Sequence, residues 1–333
     1  MDRDEVLALA ERVAGGHETT GGEALRLASD ETALDDLVAG AAMLVERFSG
    51  REVEFCSIIN AKSGLCPNDC TFCAQSAHYS TGAPVYELVG VERIVEAARS
   101  AAATGASRFG IVTSGAALDD ADFARILDAV RALAALGEIG ACASLGALTP
   151  ERARRLKAAG LTRYHHNLET SEGFYPEICS TQPFAVKLDT LRAARGAGLE
   201  VCSGGIFGLG ETWADRVDMA MTLRELGVDS VPLNYLMPIS GTPLEGQALL
   251  TADEALRITG VYRFIFPRTR LRLCAGREAV LGERQAEMFR AGADAAMIGN
   301  YLTRPGRPPD EDLEMIAALG LRVRRHVGER ELA

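Results

Sequence analysis

A chain of 333 residues, 47% of them hydrophobic and 24% charged, is long enough to bury a sizeable core, and α/β barrels of this length are commonly single domains. The formal net charge of −11 argues against a general affinity for nucleic-acid phosphates or anionic membranes. No apolar run reaches spanning length, and Met1-Asp2-Arg3-Asp4-Glu5 lacks the basic-then-apolar order of a secretion signal, so a cytoplasmic location is expected. Eight cysteines are too few for a disulfide scaffold in a chain this long, and a reducing compartment leaves them available for iron.

Residues 2–48 read as helical, with Leu7, Leu9 and Val13, then Leu34, Leu37 and Val38, at helical spacing. From there strand and helix patterns alternate. Short β-rich runs fall near 53–60, 107–114, 139–145, 163–169, 200–207, 230–237, 269–275 and 295–299. Amphipathic stretches lie between them near 87–104, 120–136, 150–159, 184–197, 213–226, 252–266 and 281–291, and a last one near 310–319. Such alternation implies a parallel sheet with right-handed crossovers, and about eight units imply an α/β fold of the (β/α)8 TIM-barrel type. A doubly wound sheet is the alternative. No repeat, low-complexity segment or linker interrupts the pattern; Pro305, Pro308 and Pro309 mark a turn before the last helix. The expected division is a helical extension over 1–48, a barrel over 49–320 and a tail over 321–333, with Arg322–Arg325 a solvated helix end.

The segment Lys62-Ser63-Gly64-Leu65-Cys66-Pro67-Asn68-Asp69-Cys70-Thr71-Phe72-Cys73 carries a C-x3-C-x2-C triplet. Three thiolates on one Gly- and Pro-bearing loop can hold three corners of a cubane iron–sulfur cluster and leave the fourth iron open. A single zinc would need a fourth ligand at short spacing, for which His78 is the nearby candidate. The loop follows the first strand of the expected barrel, at the end where such barrels build active sites. In its spacing the triplet resembles the radical S-adenosylmethionine (SAM) enzymes. There the SAM amino and carboxylate groups chelate the open iron of a [4Fe-4S] cluster, and an aromatic in the place of Phe72 packs near the adenine.

Four further runs resemble the biotin synthase family: Cys56-Ser57-Ile58-Ile59-Asn60-Ala61-Lys62-Ser63-Gly64, Tyr164-His165-His166-Asn167-Leu168-Glu169-Thr170, Val201-Cys202-Ser203-Gly204-Gly205-Ile206 and Arg272-Leu273-Cys274-Ala275-Gly276-Arg277-Glu278. They occur in order over roughly residues 35–320. The resemblance implies conversion of dethiobiotin to biotin by sulfur insertion between two unactivated carbons, where acid–base catalysis has no foothold. It implies a reduced [4Fe-4S] cluster that cleaves SAM, an auxiliary iron–sulfur cluster that supplies sulfur, a flavodoxin- or ferredoxin-type reductant and a homodimer. The cofactors carry the hard chemistry while the protein orients and shields.

Carried onto this sequence, the resemblance assigns Cys66, Cys70 and Cys73 to the [4Fe-4S] cluster. Gly204, Ile206, Gly208 and Glu211 match a G-x-I-x-G-x-x-E run that supports the SAM adenine; the glycine order differs from a dinucleotide fingerprint, and a plain strand-end turn is the alternative. Asn167 and Glu169 share parity on the fourth strand and should face the barrel interior. Their family counterparts, Asn and Asp, contact the substrate ureido ring and the SAM ribose, and Glu for Asp lengthens that arm. Asn234 matches a second Asn near dethiobiotin, whose ureido donors and carbonyl suit an amide; a satisfied core Asn is the alternative. His165 and His166 are read as structural.

The auxiliary ligand set departs from the family pattern of three cysteines and an arginine. Cys142, Cys202 and Arg272 occupy three of its positions, but the second-strand position is Gly110. Cys274, two residues past Arg272, shares its face, so the missing thiolate is expected there, roughly one barrel layer (~6–7 Å) nearer the mouth. The auxiliary cluster is therefore a [2Fe-2S] or a larger variant; the alternative is that Cys274 is a small buried hydrophobe. Cys56 and Cys179 are read as structural. Competing functions are another radical SAM barrel, of hydrogenase-maturation or methylornithine-synthase type, and a non-enzymatic iron–sulfur electron carrier or scaffold.

Overall fold

A computed structural model describes residues 1–325; the remainder of the expected tail, 326–333, lies outside the described residues. The chain opens with three helices, α1 (Arg3–Ala14), α2 (Gly21–Ala28) and α3 (Leu34–Phe48). Asp2 caps α1 and Thr20 caps α2, each through a capping box with a glutamate in the first turn, which satisfies otherwise orphaned amides.

Nine strands follow: β1 (Glu52–Lys62), β2 (Arg108–Thr113), β3 (Gly140–Ser144), β4 (Arg163–His165), β5 (Glu200–Cys202), β6 (Gly205–Phe207), β7 (Ser230–Tyr235), β8 (Arg270–Leu273) and β9 (Ala295–Met297). They pair in parallel, and β9 pairs with β1 to close the sheet into a barrel. β5 and β6 both lie along β7 and share one of the eight places. The break between them has a cause on the facing strand. Pro232 has no N–H to continue the ladder, and a Cβ at Gly204 would stand 2.1 Å from the Pro232 carbonyl oxygen.

The outer layer holds α4 (Val91–Ala103), α5 (Asp120–Leu136), α6 (Pro150–Ala158), α7 (Phe184–Gly196), α8 (Trp213–Glu225) and α9 (Ala252–Ile265). After β8 the expected helix over 281–291 is instead α10 (Arg277–Leu281), a 3-10 turn and α11 (Glu287–Arg290), and α12 (Pro309–Ala318) follows β9. Helix α9 is buried almost all round because the N-terminal helices cover its outer side. Two glycines permit that approach: a Cβ at Gly40 on α3 would lie 2.7 Å from Phe264 Cζ, and one at Gly260 on α9 would lie 2.8 Å from Leu37 Cγ. Arg257 of α9 also donates to the Ser29 and Thr32 carbonyls at 3.0 and 2.8 Å.

The arginine-rich segment is not a solvated helix end. Helix α12 stops at Ala318, and Arg322–Arg324 form β10, parallel to Glu52–Glu54 of β1. Val323 packs against the core while both arginines face solvent. Three residues of alternation were too few to separate a strand from a charged helix end. No helix among the described residues is long and apolar enough to cross a membrane.

Candidate active site

The C-terminal ends of the strands surround a cavity of about 430 Å³, a size suited to small-molecule substrates. Its lining includes Phe72 and Cys73, then Asn167, Glu169, Ile206 and Asn234 with Cys274 at the level of Asn234, and Cys56, Cys142, Cys202 and Arg272 on the strands. Cys66 and Cys70 sit half-buried on the same loop as Cys73, off the cavity wall.

The triplet loop leaves β1 through Gly64 and Leu65, both at positive φ (80° and 52°), and a Cβ at Gly64 would meet Val85 at 2.6 Å. Gln75 Oε1 accepts from Ser63 Oγ (3.0 Å) and Gly64 N (3.3 Å), and Cys66 N donates to the Gln75 carbonyl (2.9 Å). Cys73 N donates to the Cys70 carbonyl at 3.0 Å. His78, the zinc alternative's fourth ligand, places Nε2 3.0 Å from the Pro67 carbonyl. Among the described residues no three His, Cys, Asp or Glu side chains converge as a single ion requires; the corners of a polynuclear cluster are more widely spread. All eight cysteines are free.

Asn167 and Glu169 line the cavity, but not by strand parity as expected, because β4 ends at His165. Asn167 Oδ1 accepts from Gly204 N at 3.2 Å, and Lys187 Nζ donates to the Asn167 carbonyl at 3.0 Å. Glu169 is placed by a bridge to Gly205 at φ 74°, a conformation rare outside glycine. Its Oε2 is buried without a partner, and burial pushes the carboxyl up despite Lys187 and His165. An orphaned acceptor of this kind can take a hydrogen bond from a ligand donor. Asn234 donates to the Gly205 carbonyl (3.1 Å) and accepts from Ala275 N (3.3 Å), which leaves one amide hydrogen and one lone pair for a ligand.

Of the glycine-rich run Ile206 lines the cavity, and Gly204, Gly208 and Glu211 are not among its lining residues. Glu211 is buried and accepts from Gly208 N (3.0 Å), Leu209 N (2.7 Å) and Arg216 Nε (2.7 Å). It holds the turn from behind. A motif shows residue types, not which way a buried side chain turns.

Beneath the thiols lies a charged floor. Glu54 accepts from Arg163 Nη1 (3.1 Å), Arg108 Nε (3.3 Å) and Arg272. Burial would raise its carboxyl, but Arg272, Arg163 and Arg108 hold it well below the ordinary range. Arg272 Nη1 has no partner, and Arg272 acts electrostatically on Cys56, Cys202 and Cys274. His165 Nδ1 lies 3.4 Å from Cys202 Sγ. Burial opposes ionisation of Cys202, yet His165 and the arginines bring it down to about 6, whereas burial raises Cys142 and Cys274. The donor set fits an iron–sulfur cluster: clustered thiols, an orphaned guanidinium nitrogen and a positive floor to offset thiolate charge.

Two cysteines read as structural take other places. Cys56 joins the cavity thiols, because it shares with Glu54 the inward face of β1; that parity was a readable signal. Cys179 has no periodic signal. It lies near Cys70, and the interaction of the two thiols pushes Cys70 up and Cys179 down. Lys187, also missed, is buried at the cavity with its amino group over the Tyr175 ring.

Residues 62–223 match the model of the radical SAM superfamily, and 232–322 that of the biotin and thiamin synthesis associated domain. The chain is 48% identical to a biotin synthase of Pelotomaculum thermopropionicum, covering 95% of this chain and 98% of the relative. It is 49% identical to one of Geobacter sulfurreducens, covering 96% and 97%. Among solved structures, methylornithine synthase superposes with TM-score 0.82 at 19% identity over 95% of this chain and 97% of that one. A hydrogenase maturase from Carboxydothermus hydrogenoformans superposes with 0.79 at 18% over 96% and 79%. Identities so low show a shared barrel fold and nothing finer. The near-full-length relatives decide between the enzymatic alternatives: the chain belongs to the biotin synthase family of radical SAM enzymes.

Proposed function

We propose that this cavity converts dethiobiotin to biotin, with the following division of labour. Cys66, Cys70 and Cys73 hold the [4Fe-4S] cluster; Phe72, Asn167, Glu169 and Ile206 face SAM; Asn167 and Asn234 face dethiobiotin. Cys142, Cys202 and Cys274 hold the auxiliary cluster beside Arg272, with Cys56 as a fourth thiol in the same space. One observation carries the reading: a single cavity is lined by Cys73, by Glu169 and by the thiols of Cys142, Cys202 and Cys274. When bound, the two clusters and SAM supply radical hydrogen abstraction and sulfur.

The chain's own residues bind, orient and exclude water. Glu169 Oε2 offers an acceptor to a ribose hydroxyl, and the spare hydrogen and lone pair of Asn234 match a ureido group. Arg272 Nη1 and the Arg108–Arg163 pair place positive charge under the auxiliary thiols, and His165 favours the Cys202 thiolate. Gly110 has no side chain to reach iron, while Cys274 lines the cavity, which supports a ligand set moved to the end of β8 and a cluster that is [2Fe-2S] or a larger variant. A flavodoxin- or ferredoxin-type donor, a homodimer and a cytoplasmic setting complete the reading, the last in keeping with eight unpaired thiols.

The test is anaerobic SAM cleavage with and without dethiobiotin, alongside iron, sulfide and Mössbauer analysis of reconstituted protein. Dethiobiotin-dependent cleavage with biotin formed supports the assignment. Cleavage that ignores dethiobiotin would overturn it.

A further inference from the structure

Cys179 stands on the loop after β4, remote in sequence from the triplet. Two backbone clasps bring it to Cys70. On one side Thr71 N donates to the Ile178 carbonyl at 2.9 Å. On the other, Asp69 Oδ1 accepts from Ser180 N (2.9 Å) and Thr181 N (3.2 Å), and Asp69 N donates to Thr181 Oγ1 (3.0 Å). The two segments are therefore tied on either side of Cys70 and Cys179, through Thr71 to Ile178 and through Asp69 to Ser180 and Thr181. Both thiols are free, and Cys179 is buried.

We propose that Cys70 and Cys179 are a redox pair that closes to a disulfide when the triplet loses its cluster, and that this bridge blocks reloading until a thiol reductant opens it. The proposal rests on Cys70 being a cluster ligand: while its sulfur holds iron it cannot bond to Cys179. With hydrogen peroxide as oxidant, one thiol sulfur attacks a peroxide oxygen. The O–O bond breaks, one water leaves and a sulfenic acid forms. The second sulfur then displaces the sulfenic oxygen, forming the S–S bond and releasing a second water. Two thiols lose two electrons and the peroxide is reduced to two waters, so no further reactant is needed. The clasps do not depend on iron, so the pair stays aligned in the cluster-free chain.

The experiment compares full-length protein with its clusters intact, the same protein after chelation, and chelated Cys179→Ser. Each is treated with stoichiometric hydrogen peroxide, alkylated and mapped by mass spectrometry, and then offered iron and sulfide without thiol reductant. The chelated wild type should yield a linked Cys70–Cys179 peptide and take up no cluster at the triplet until dithiothreitol is added. Cys179→Ser should reload the triplet without dithiothreitol. Cys70 and Cys179 both remaining free, or Cys70 pairing with Cys66 or Cys73 instead, would overturn the proposal. A Cys70–Cys179 bridge forming equally in cluster-loaded protein would overturn it differently, by removing Cys70 from the cluster, and intact iron content in Cys70→Ala would identify that failure.

Discussion

Gly110 on β2 stands in register with Cys142 on β3, and its position lines the same cavity. A Cβ there would lie 3.1 Å from Ile58 Cγ2 and 3.9 Å, an ordinary contact, from the Ser57 carbonyl oxygen. The space for a second-strand thiol is thus nearly present, and the neighbour that must yield is one methyl group.

Cys274→Ser should therefore keep the SAM-binding cluster and SAM cleavage while losing auxiliary iron, sulfide and biotin yield. Adding Gly110→Cys should restore auxiliary iron, at a stability cost of about 1–3 kcal/mol for crowding Ile58. Iron analysis and thermal unfolding check both steps. Unchanged iron and biotin in Cys274→Ser would leave Cys142, Cys202, Arg272 and Cys56 as the ligand candidates.

Cys66→Ala, Cys70→Ala and Cys73→Ala should each abolish 5′-deoxyadenosine production, since each removes one thiolate from the triplet. Near wild-type production by any one of them would remove that residue from the cluster.

Asn234→Ala should weaken dethiobiotin binding by about tenfold or more, in line with roughly 1–3 kcal/mol for a buried hydrogen-bond partner, and SAM binding by less. Isothermal titration of each ligand reads the difference. Because Asn234 also ties Gly205 to Ala275, equal losses for both ligands would make it a brace of the wall and not a substrate contact.

Glu54→Gln should destabilise the fold by about 3–5 kcal/mol at neutral pH, because it strands buried guanidiniums. Burial alone would raise the Glu54 carboxyl, but Arg272, Arg163 and Arg108 lower it in the folded state. Its contribution is therefore fully present above the unfolded-state value of about 4.3 and is lost as pH falls through the lower folded-state value. The wild-type advantage in urea midpoint should shrink with acidification below that unfolded-state value. Superimposable denaturation curves at pH 7 would remove Glu54 from the stability of the floor.

The strand and helix order was legible because each element carries its own periodicity, and the triplet because its ligands are adjacent in the chain. Cys142, Cys202 and Arg272 could be matched to strands, whereas Cys274 lies one residue past β8 and lines the cavity with Arg272. Tertiary structure decided the rest. Glu54 meets Arg108 from the neighbouring β2, but it meets Arg163 and Arg272 because the sheet closes and joins β1 to β9, and no local pattern carries that closure. Glu211 fits its motif yet turns back on its own loop, since Gly208 N and Leu209 N are nearer partners than the cavity. Cys179 reaches Cys70 through backbone clasps between two irregular loops, which have neither period nor spacing to read. Periodicity is a property of consecutive residues; which distant side chains share a space follows from strand stagger and loop path, and these exist only in the closed fold.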